Sequence, residues 1–346
     1  MKEIYLLTDY KGFFENKYTA VPYRSGMNRE LLTKYFAESG YAAEFMAFAD
    51  VDFRKMDFRE QYILYTSSED HEGHYKDYIE DVVYALCLQG AHLIPDVKYL
   101  RAHHNKVFME MLRDMSRLES IKNITASCFG ALEELQERCD HMDEKLVIKS
   151  ARGATSSRVF SSASRPDLLK KAAKISRTRH TYHELWDLAR SVKHKGYRRE
   201  SKHRRKFLTQ NFLPDLMNDW KILIFGKKFY VLYRQVRKGD FRASGSGLFN
   251  FCDAPPEGLL DFAKEVFDAL DVPYLSLDVA LKDNVFHLFE FQAVYFGTLV
   301  IEKSRSYFTQ IDGLWCITKD ASVLEREYVS SINDYIARKY HVAQSL

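Results

Sequence analysis

Residues 274–294 read YLSLDVALKDNVFHLFEFQAV. Two runs rich in Leu, Val, Phe and Tyr flank the turn Asp283–Val285, the pattern of two strands joined as a hairpin. Counted back from that tip, Asp278 and Glu290 become approximate cross-strand neighbours. Side chains alternate across a strand, so Gln292 falls on the same face as Glu290. Two carboxylates and an amide oxygen are hard oxygen donors, a set that suits Mg²⁺ (one or two ions, with Mn²⁺ as a substitute) better than zinc. Mg²⁺ held by so few protein groups commonly bridges phosphate oxygens. The competing reading makes Asp278 and Glu290 ordinary ion-pair partners of Lys or Arg.

A second strand pair precedes the first, DWKILIFG followed by KKFYVLYRQV, and it runs into the hook RKGDFRASGSG at residues 237–247. A surface turn needs one or two Gly. This one carries Arg237, Lys238, Asp240, Arg242 and three Gly, a combination suited to phosphate or carboxylate groups. Further upstream, Lys149 ends the strand KLVIKS beside the polar stretch ARGATSSRVFSSAS, where Ser150, Ser156 and Ser157 offer hydroxyls. A strand-end lysine next to a flexible polar loop is well placed to meet phosphates, although the Walker pattern GxxxxGK[ST] is absent.

The first hundred residues alternate strand and helix signals: EIYLLT, the helix MNRELLTKYFAESG with its Gly stop, AAEFMAFAD, QYILYTS, the helix HYKDYIEDVVYALCLQG and AHLIPD. That alternation predicts a parallel sheet within an α/β unit. HHNKVFMEMLRDMSRLESI and ALEELQERCDHM read as helices around the strand ITASCFG, and strands dominate from Phe207. A helix, LLDFAKEVFDAL, separates the two strand pairs, and LEREYVSSINDYIARKY closes the chain.

The 346 residues include 46% apolar and 14% aromatic side chains, with 7 Pro and 15 Gly, so long disordered stretches are not expected. No apolar run is long enough to span a bilayer, and no secretory signal is evident. Five scattered cysteines without CxxC predict free thiols in a reducing cytoplasm. The net charge of +3 hides an asymmetry: residues 168–206 hold 14 of the 51 Lys/Arg and 3 of the 48 Asp/Glu, or +11, leaving −8 elsewhere. Such a block suggests an anionic partner, or else a solvated helical face. His180 and His183 could share a helix face, but no further ligand stands at zinc spacing.

The order Lys106, Lys149, TQNFL, NDWKILIFG, Arg234, KGDFR, LDVA, FEFQ resembles the ATP-grasp ligases, with nearest motif likeness to the branch that adds glutamate to protein tails. The resemblance implies an α+β and α/β chain: an ATP-grasp fold behind an N-terminal Rossmann-like pre-ATP-grasp domain at 1–103. A first ATP-grasp subdomain with a basic lid would occupy 104–208, and a C-terminal subdomain with the Mg²⁺ site 209–346. Lys106 and Lys149 would contact ATP phosphates, together with Ser150, Ser156 and Ser157. Gln210, Asn211, Phe212 and Leu213 would form the hinge that reads adenine. Asp278, Glu290 and Gln292 would hold Mg²⁺, and Arg234 and Arg242 would neutralise the phosphoryl group and the substrate carboxylate. Ser67, Ser68, His74, Arg152 and Ser244 are further candidate substrate contacts; the competing reading of SSEDHEGHYK is a helix cap with an acidic first turn.

The chain departs from the family pattern in three places. Gln292 stands where Asn is usual, the phosphate loop is Ser-rich, and AVYFG replaces the usual Asn-x-x-Pro-Gly. The implied activity is ADP-forming carbon–nitrogen ligation through an acyl phosphate, on an anionic carboxylate such as a sugar acid or acidic peptide, in the cytoplasm. Similar enzymes often pair, which makes a homodimer an open expectation. A kinase and a non-catalytic nucleotide sensor are the alternatives of like fold. A nucleic-acid-binding module is the alternative of another class, raised by Tyr182, Trp186 and Tyr197 within the basic block.

Overall fold

The chain begins with a four-stranded sheet whose every pairing is parallel, in the order β2-β1-β3-β4. Its strands are β1 (Lys2–Thr8), β2 (Tyr41–Ala47), β3 (Tyr62–Tyr65) and β4 (His92–Ile94), connected through α1 (Arg29–Glu38) and α2 (His74–Gln89) and followed by α3 (Val97–Ala102). The helices begin and end where local chemistry demands. Asn28 accepts the Leu31 N–H at the start of α1, and Gly90, at φ 92°, closes α2 in the left-handed conformation a Cβ would strain. This computed structural model describes residues 1–139, 145–153, 158–178 and 180–341.

By contact the chain divides into two units, one of residues 104–115 and 122–215, the other of residues 1–103, 116–121 and 216–346. The smaller unit starts with α4 (Lys106–Asp114), shorter than the helix expected from HHNKVFMEMLRDMSRLESI, because Asn105 caps it and the chain leaves the helix after Asp114. An antiparallel sheet of order β5-β8-β6-β7 follows, made of β5 (Ala126–Phe129), β6 (Leu146–Ser150), β7 (Val159–Ser161) and β8 (Phe207–Asn211). β7 is a strand inside a stretch read from sequence as polar loop; pairing with β6 supplies hydrogen bonds that its own composition does not advertise. Helices α5 (Leu132–Arg138) and α6 (Arg165–Ser176) bury Leu132, Leu135, Leu168, Ala172 and Ile175 against Phe129, Ile148 and Phe207. Helix α7 (Thr181–Lys193) buries only Asp187.

In the larger unit a seven-stranded sheet runs β13-β12-β9-β10-β14-β15, with β11 paired to β10. Its strands are β9 (Asn218–Phe225), β10 (Lys228–Gln235), β11 (Phe249–Phe251), β12 (Tyr274–Lys282), β13 (Val285–Gln292), β14 (Tyr307–Ile311) and β15 (Leu314–Thr318). The β14–β15 hairpin was not anticipated, although Asp312–Gly313, both at positive φ, is the dipeptide that favours such a turn. Helices α8 (Leu259–Leu270), α9 (Leu299–Lys303) and α10 (Leu324–Ile336) complete the unit. α10 buries Leu324, Tyr328, Val329, Ile332, Tyr335 and Ile336, and these share one core with Leu223, Phe225 and Tyr274 of the sheet and with Phe14, Leu32 and Tyr35 of the first hundred residues. Each such side chain contributes about 1.5–3 kcal/mol on burial. All five cysteines are free thiols, and among the described residues no helix is long and apolar enough to cross a membrane.

Candidate active site

The larger unit carries a row of charged side chains across four neighbouring strands. Asp219 on β9 lies opposite Arg234 on β10, and Lys221 on β9 lies opposite Asp278 on β12. Asp278 in turn faces Glu290 on β13, and Ser276 faces Gln292. Positions two apart on a strand share a face, so these groups converge on one side of the sheet. The register that brings Glu290 opposite Asp278 depends on a bulge between Asp278 and Val279. Counted straight from the two-residue turn, Asp278 would face Phe289, whose side chain belongs to the other face.

Arg234 grips Asp219 with both ends of its guanidinium, Nε to Oδ1 at 2.6 Å and Nη2 to Oδ2 at 2.8 Å, and reaches Asp278 Oδ2 at 3.0 Å. Lys221 Nζ donates to Ser276 Oγ at 2.9 Å and lies 3.5 Å from Asp278 Oδ1. Burial pushes both carboxyls up, but with different outcomes. Arg234 and Lys221 together outweigh it at Asp278 and hold that carboxyl at about 2. At Asp219 burial prevails over Arg234, the charge of Asp278 adds to it, and the carboxyl sits up at about 6. For Arg234, burial opposes the charge, but Asp278 and Asp219 raise its pKa above the ordinary value. One ionised and one easily protonated carboxylate therefore share a single guanidinium, the division of roles that charged sites use.

Glu290 accepts a hydrogen bond from Gln292 Nε2 at 2.9 Å. Asp278 thus has the ion-pair partners of the plainer sequence reading, Arg234 and Lys221. Its oxygen, with those of Glu290 and Gln292, also forms the kind of donor set that Mg²⁺ accepts, since two carboxylates plus phosphate oxygens suffice for it. Among the described residues, no cluster of three or more His, Cys, Asp and Glu is arranged to hold a metal.

In the hook, Arg242 folds back on Asp240, Nε to Oδ1 and Nη2 to Oδ2 both at 2.9 Å, and that pairing holds the Asp240 carboxyl at about 2. Gly239, Gly245 and Gly247 all adopt positive φ, and Arg237 Nε donates to Ser246 O at 2.6 Å. Ser244 is half-buried in the same loop. Of the N-terminal candidates, Ser67 Oγ lies 2.8 Å from His103 Nδ1, whose Nε2 lies 3.7 Å from Glu69. Ser68 Oγ accepts the Asp70 N–H, Asp70 accepts the N–H groups of Tyr75 and Lys76, and His74 is exposed at the start of α2. Asp70 thus satisfies two N–H groups in the first turn of α2 from outside the helix, whose N-cap position is held by Gly73, while Ser68 only closes the turn before Asp70. His103 is buried with its ring edge-on to Tyr295, centroids 5.7 Å apart, and burial lowers its pKa from the ordinary histidine value.

The smaller unit holds the lysines. Lys106 Nζ donates to Gly153 O at 2.9 Å, and its backbone N–H binds Ala151 O, which fixes the start of α4 to the loop after β6. Lys149 is the penultimate residue of β6, paired with Val159 and Leu208, and it acts electrostatically on Glu110. Ser150 is buried, with its N–H on Arg158 O, and Arg152 follows it; Ser156 and Ser157 lie outside the described residues. Gln210 and Asn211 are the last residues of β8: Gln210 pairs with Ala126 of β5 and Val147 of β6, and Asn211 with Leu146 of β6. The Gln210 side chain donates to Glu110 Oε1 at 2.8 Å, with Arg113 3.2 Å from Glu110 Oε2. The hinge expected at 210–213 is therefore sheet in its first half, and only Phe212 and Leu213 lie past the ladder.

Sequence reasoning passed over Asp219, Lys221, Glu110 and Arg113, and weighed His103 only as one of several histidines that could suggest a metal site. Asp219 and Lys221 were findable: charged residues two apart on an otherwise apolar strand, DWKILIF, mark one functional face. Glu110 and Arg113 sit on an ordinary amphipathic pattern and carry no such mark.

No protein-family model matches the chain, and no curated protein matches it in sequence. Solved structures do. D-cycloserine synthetase DcsG superposes with a TM-score of 0.53 at 11% identity, covering 96% of this chain and 99% of that one. N5-carboxyaminoimidazole synthetase from Staphylococcus aureus superposes at 0.50 with 8% identity, over 89% and 74% of the two chains. The chain has the fold of the ATP-grasp ligases.

Proposed function

We propose that the protein is an ATP-dependent carboxylate–amine ligase. The observation that supports this best is the row Asp219, Arg234, Lys221, Asp278, Glu290 and Gln292 on one face of the larger sheet, in a chain with the ATP-grasp fold. In the reaction a substrate carboxylate oxygen attacks the γ-phosphorus of ATP. The new P–O bond forms as the bond to the β,γ-bridging oxygen breaks, giving an acyl phosphate and ADP. An amine nitrogen then attacks the acyl carbon, the carbon–oxygen bond to phosphate breaks, and the amine gives up a proton to leave an amide.

This chemistry rests on positioning and charge neutralisation. Lys106 and Lys149 are assigned to the ATP phosphates, with Ser150, and Phe212 and Leu213 to the adenine edge. Asp278, Glu290 and Gln292 would hold Mg²⁺, which supplies charge neutralisation at the phosphate oxygens. Arg234, fixed by Asp219, keeps its guanidinium aimed at the same face, and Arg242 is assigned to the transferred phosphoryl group or the substrate carboxylate. To do so Arg242 must exchange its Asp240 partner for substrate. Ser67, with Arg152 and Ser244, remains assigned to substrate.

The experiment is calorimetric titration with a non-hydrolysable ATP analogue, with and without Mg²⁺, followed by screening acid–amine pairs for ADP release. Binding that tightens with Mg²⁺ and weakens in Lys149→Ala is the expected result; no binding in either condition removes the ligase reading. In Arg242→Ala the chemical step should slow more than tenfold, the order expected for a lost charge-stabilising contact, with ATP affinity little changed. A fall in ATP affinity alone would make Arg242 a nucleotide-binding group instead.

A further inference from the structure

Helix α7 turns its polar side toward the protein and its apolar side toward solvent. On the inner side, Glu184 pairs with Lys202 at 2.7 Å and Arg177 at 3.5 Å. Asp187 accepts the Tyr197 hydroxyl at 2.6 Å and the Glu200 N–H at 3.1 Å, with Arg199 at 3.5 Å. The segment returning from the helix, Tyr197–Lys202, thus holds it through polar contacts. On the outer side, Tyr182, Leu185, Trp186, Ala189 and Val192 recur at helical spacing and fall within roughly one third of the circumference. Tyr182 is 67% exposed, Leu185 66%, Trp186 53% and Val192 82%. A surface helix of a self-contained protein has the opposite arrangement.

The charge around this stripe is equally one-sided. The three acidic residues of 168–206 are all engaged: Glu184 and Asp187 as above, and Glu200 in an ion pair with Arg204. Lys193, Lys195 and Arg198 lie exposed at the C-terminal end of the stripe, with no carboxylate partner among the described residues. An uncompensated cationic rim beside an exposed aromatic and aliphatic ridge calls for an occupant that is anionic and apolar together.

We propose that α7 seats the protein on an anionic lipid surface, independently of the ligase reading. Leu185, Trp186 and Val192 would enter the headgroup boundary, with Tyr182 at its polar edge, and Lys193, Lys195 and Arg198 would meet lipid phosphates. Trp and Tyr suit that depth because each joins an apolar ring to a polar tip. Basic flanks with an apolar helix face are what interfacial binding requires. A protein partner would need a groove shaped to this single convex ridge, whereas a bilayer deforms to receive it. Nucleic acid fits less well, because Leu185 and Val192 offer no ring for a base to stack on.

The test is flotation of the full chain with phosphatidylcholine vesicles, with and without phosphatidylglycerol. Flotation with the anionic vesicles alone is expected. It should fall by about tenfold or more in the double variant Leu185→Ser/Trp186→Ser and in Lys193→Glu/Lys195→Glu, the scale expected when one of two cooperating membrane signals is lost. These side chains are solvent-exposed, so circular dichroism and thermal unfolding should stay at wild-type values and separate this outcome from misfolding. Failure to float with anionic vesicles overturns the proposal, as does flotation undiminished in both double variants. Sedimentation that shows the first variant abolishing self-association, with vesicle binding unchanged, assigns the ridge to a second copy and equally overturns it.

Discussion

Arg234 is the residue on which the candidate site turns, because one guanidinium serves two carboxyls of opposite tendency. Asp278→Asn keeps the bidentate Arg234–Asp219 pair, and Glu290→Gln keeps the strand register, so both variants should fold. Turnover should drop by at least about a hundredfold in each, as expected for lost metal or phosphate contacts, and near-normal ADP release would remove the metal assignment. A second carboxyl is exposed to pH for a different reason. Glu15 is buried, one oxygen accepts the Tyr295 N–H at 3.1 Å, and the other has no hydrogen-bond partner among the described residues. Burial pushes it up to about 8 from its ordinary 4.5, only partly opposed by that N–H. Between those values the folded chain keeps a proton that the unfolded chain has released. Stability from this group is therefore complete below pH 4.5 and is lost as pH rises through about 8, by on the order of 1.4 kcal/mol per pH unit at most. Glu15→Gln should flatten the fall in melting temperature across that window; an unchanged pH profile would show that Glu15 does not titrate there.

At the scale of elements, the β12–β13 hairpin decides where the carboxylates meet. Asp283 and Asn284 both adopt left-handed φ, 51° and 60°, as a tight two-residue hairpin turn requires. A β-branched residue is strained in that conformation, so Asn284→Val should cost about 1–3 kcal/mol, while Asn284→Gly should leave stability within about 0.5 kcal/mol. Denaturant unfolding measures both. Equal stabilities would mean that the turn does not pin the register. The hairpin was legible in sequence, as were the central strands, because alternation is local; its turn is one residue shorter than the expected Asp283–Val285, since Val285 pairs with Lys282 as the first residue of β13. The bulge was not, since it arises where β12 must satisfy β9 on one side and β13 on the other. The β14–β15 hairpin offered its Asp-Gly signal and was overlooked amid short, polar strands.

Across the larger unit, α10 joins segments far apart in sequence into one core: β9 and β12 on one side, Phe14, Leu32 and Tyr35 on the other. Ile332 is fully buried there, and Ile332→Ala should cost about 2–5 kcal/mol. Because the core is shared, amide exchange should rise together in β1, β3, β9 and β12. Faster exchange in the C-terminal strands alone would show that the first hundred residues fold on a core of their own. The ATP-grasp likeness was legible because a fixed order of motifs survives where sequence identity does not. The setting of the site residues was less so: Gln210, expected to contribute backbone to the hinge, also donates its side chain to Glu110, a contact that no local pattern announces.

The sequence by itself determined the parallel sheet of the first hundred residues, the two strand pairs, the helices that cover them and the asymmetry of charge. Each of these follows from periodicity, caps and composition within a short stretch of chain. Only the tertiary structure decided that Glu290 stands opposite Asp278, that Arg234 is shared between Asp219 and Asp278, and that α7 presents its apolar side outward. The reason is physical: register across a bulge, the sharing of one guanidinium by two strands and the choice of which helix face is covered all depend on neighbours distant in sequence, and no local pattern encodes them.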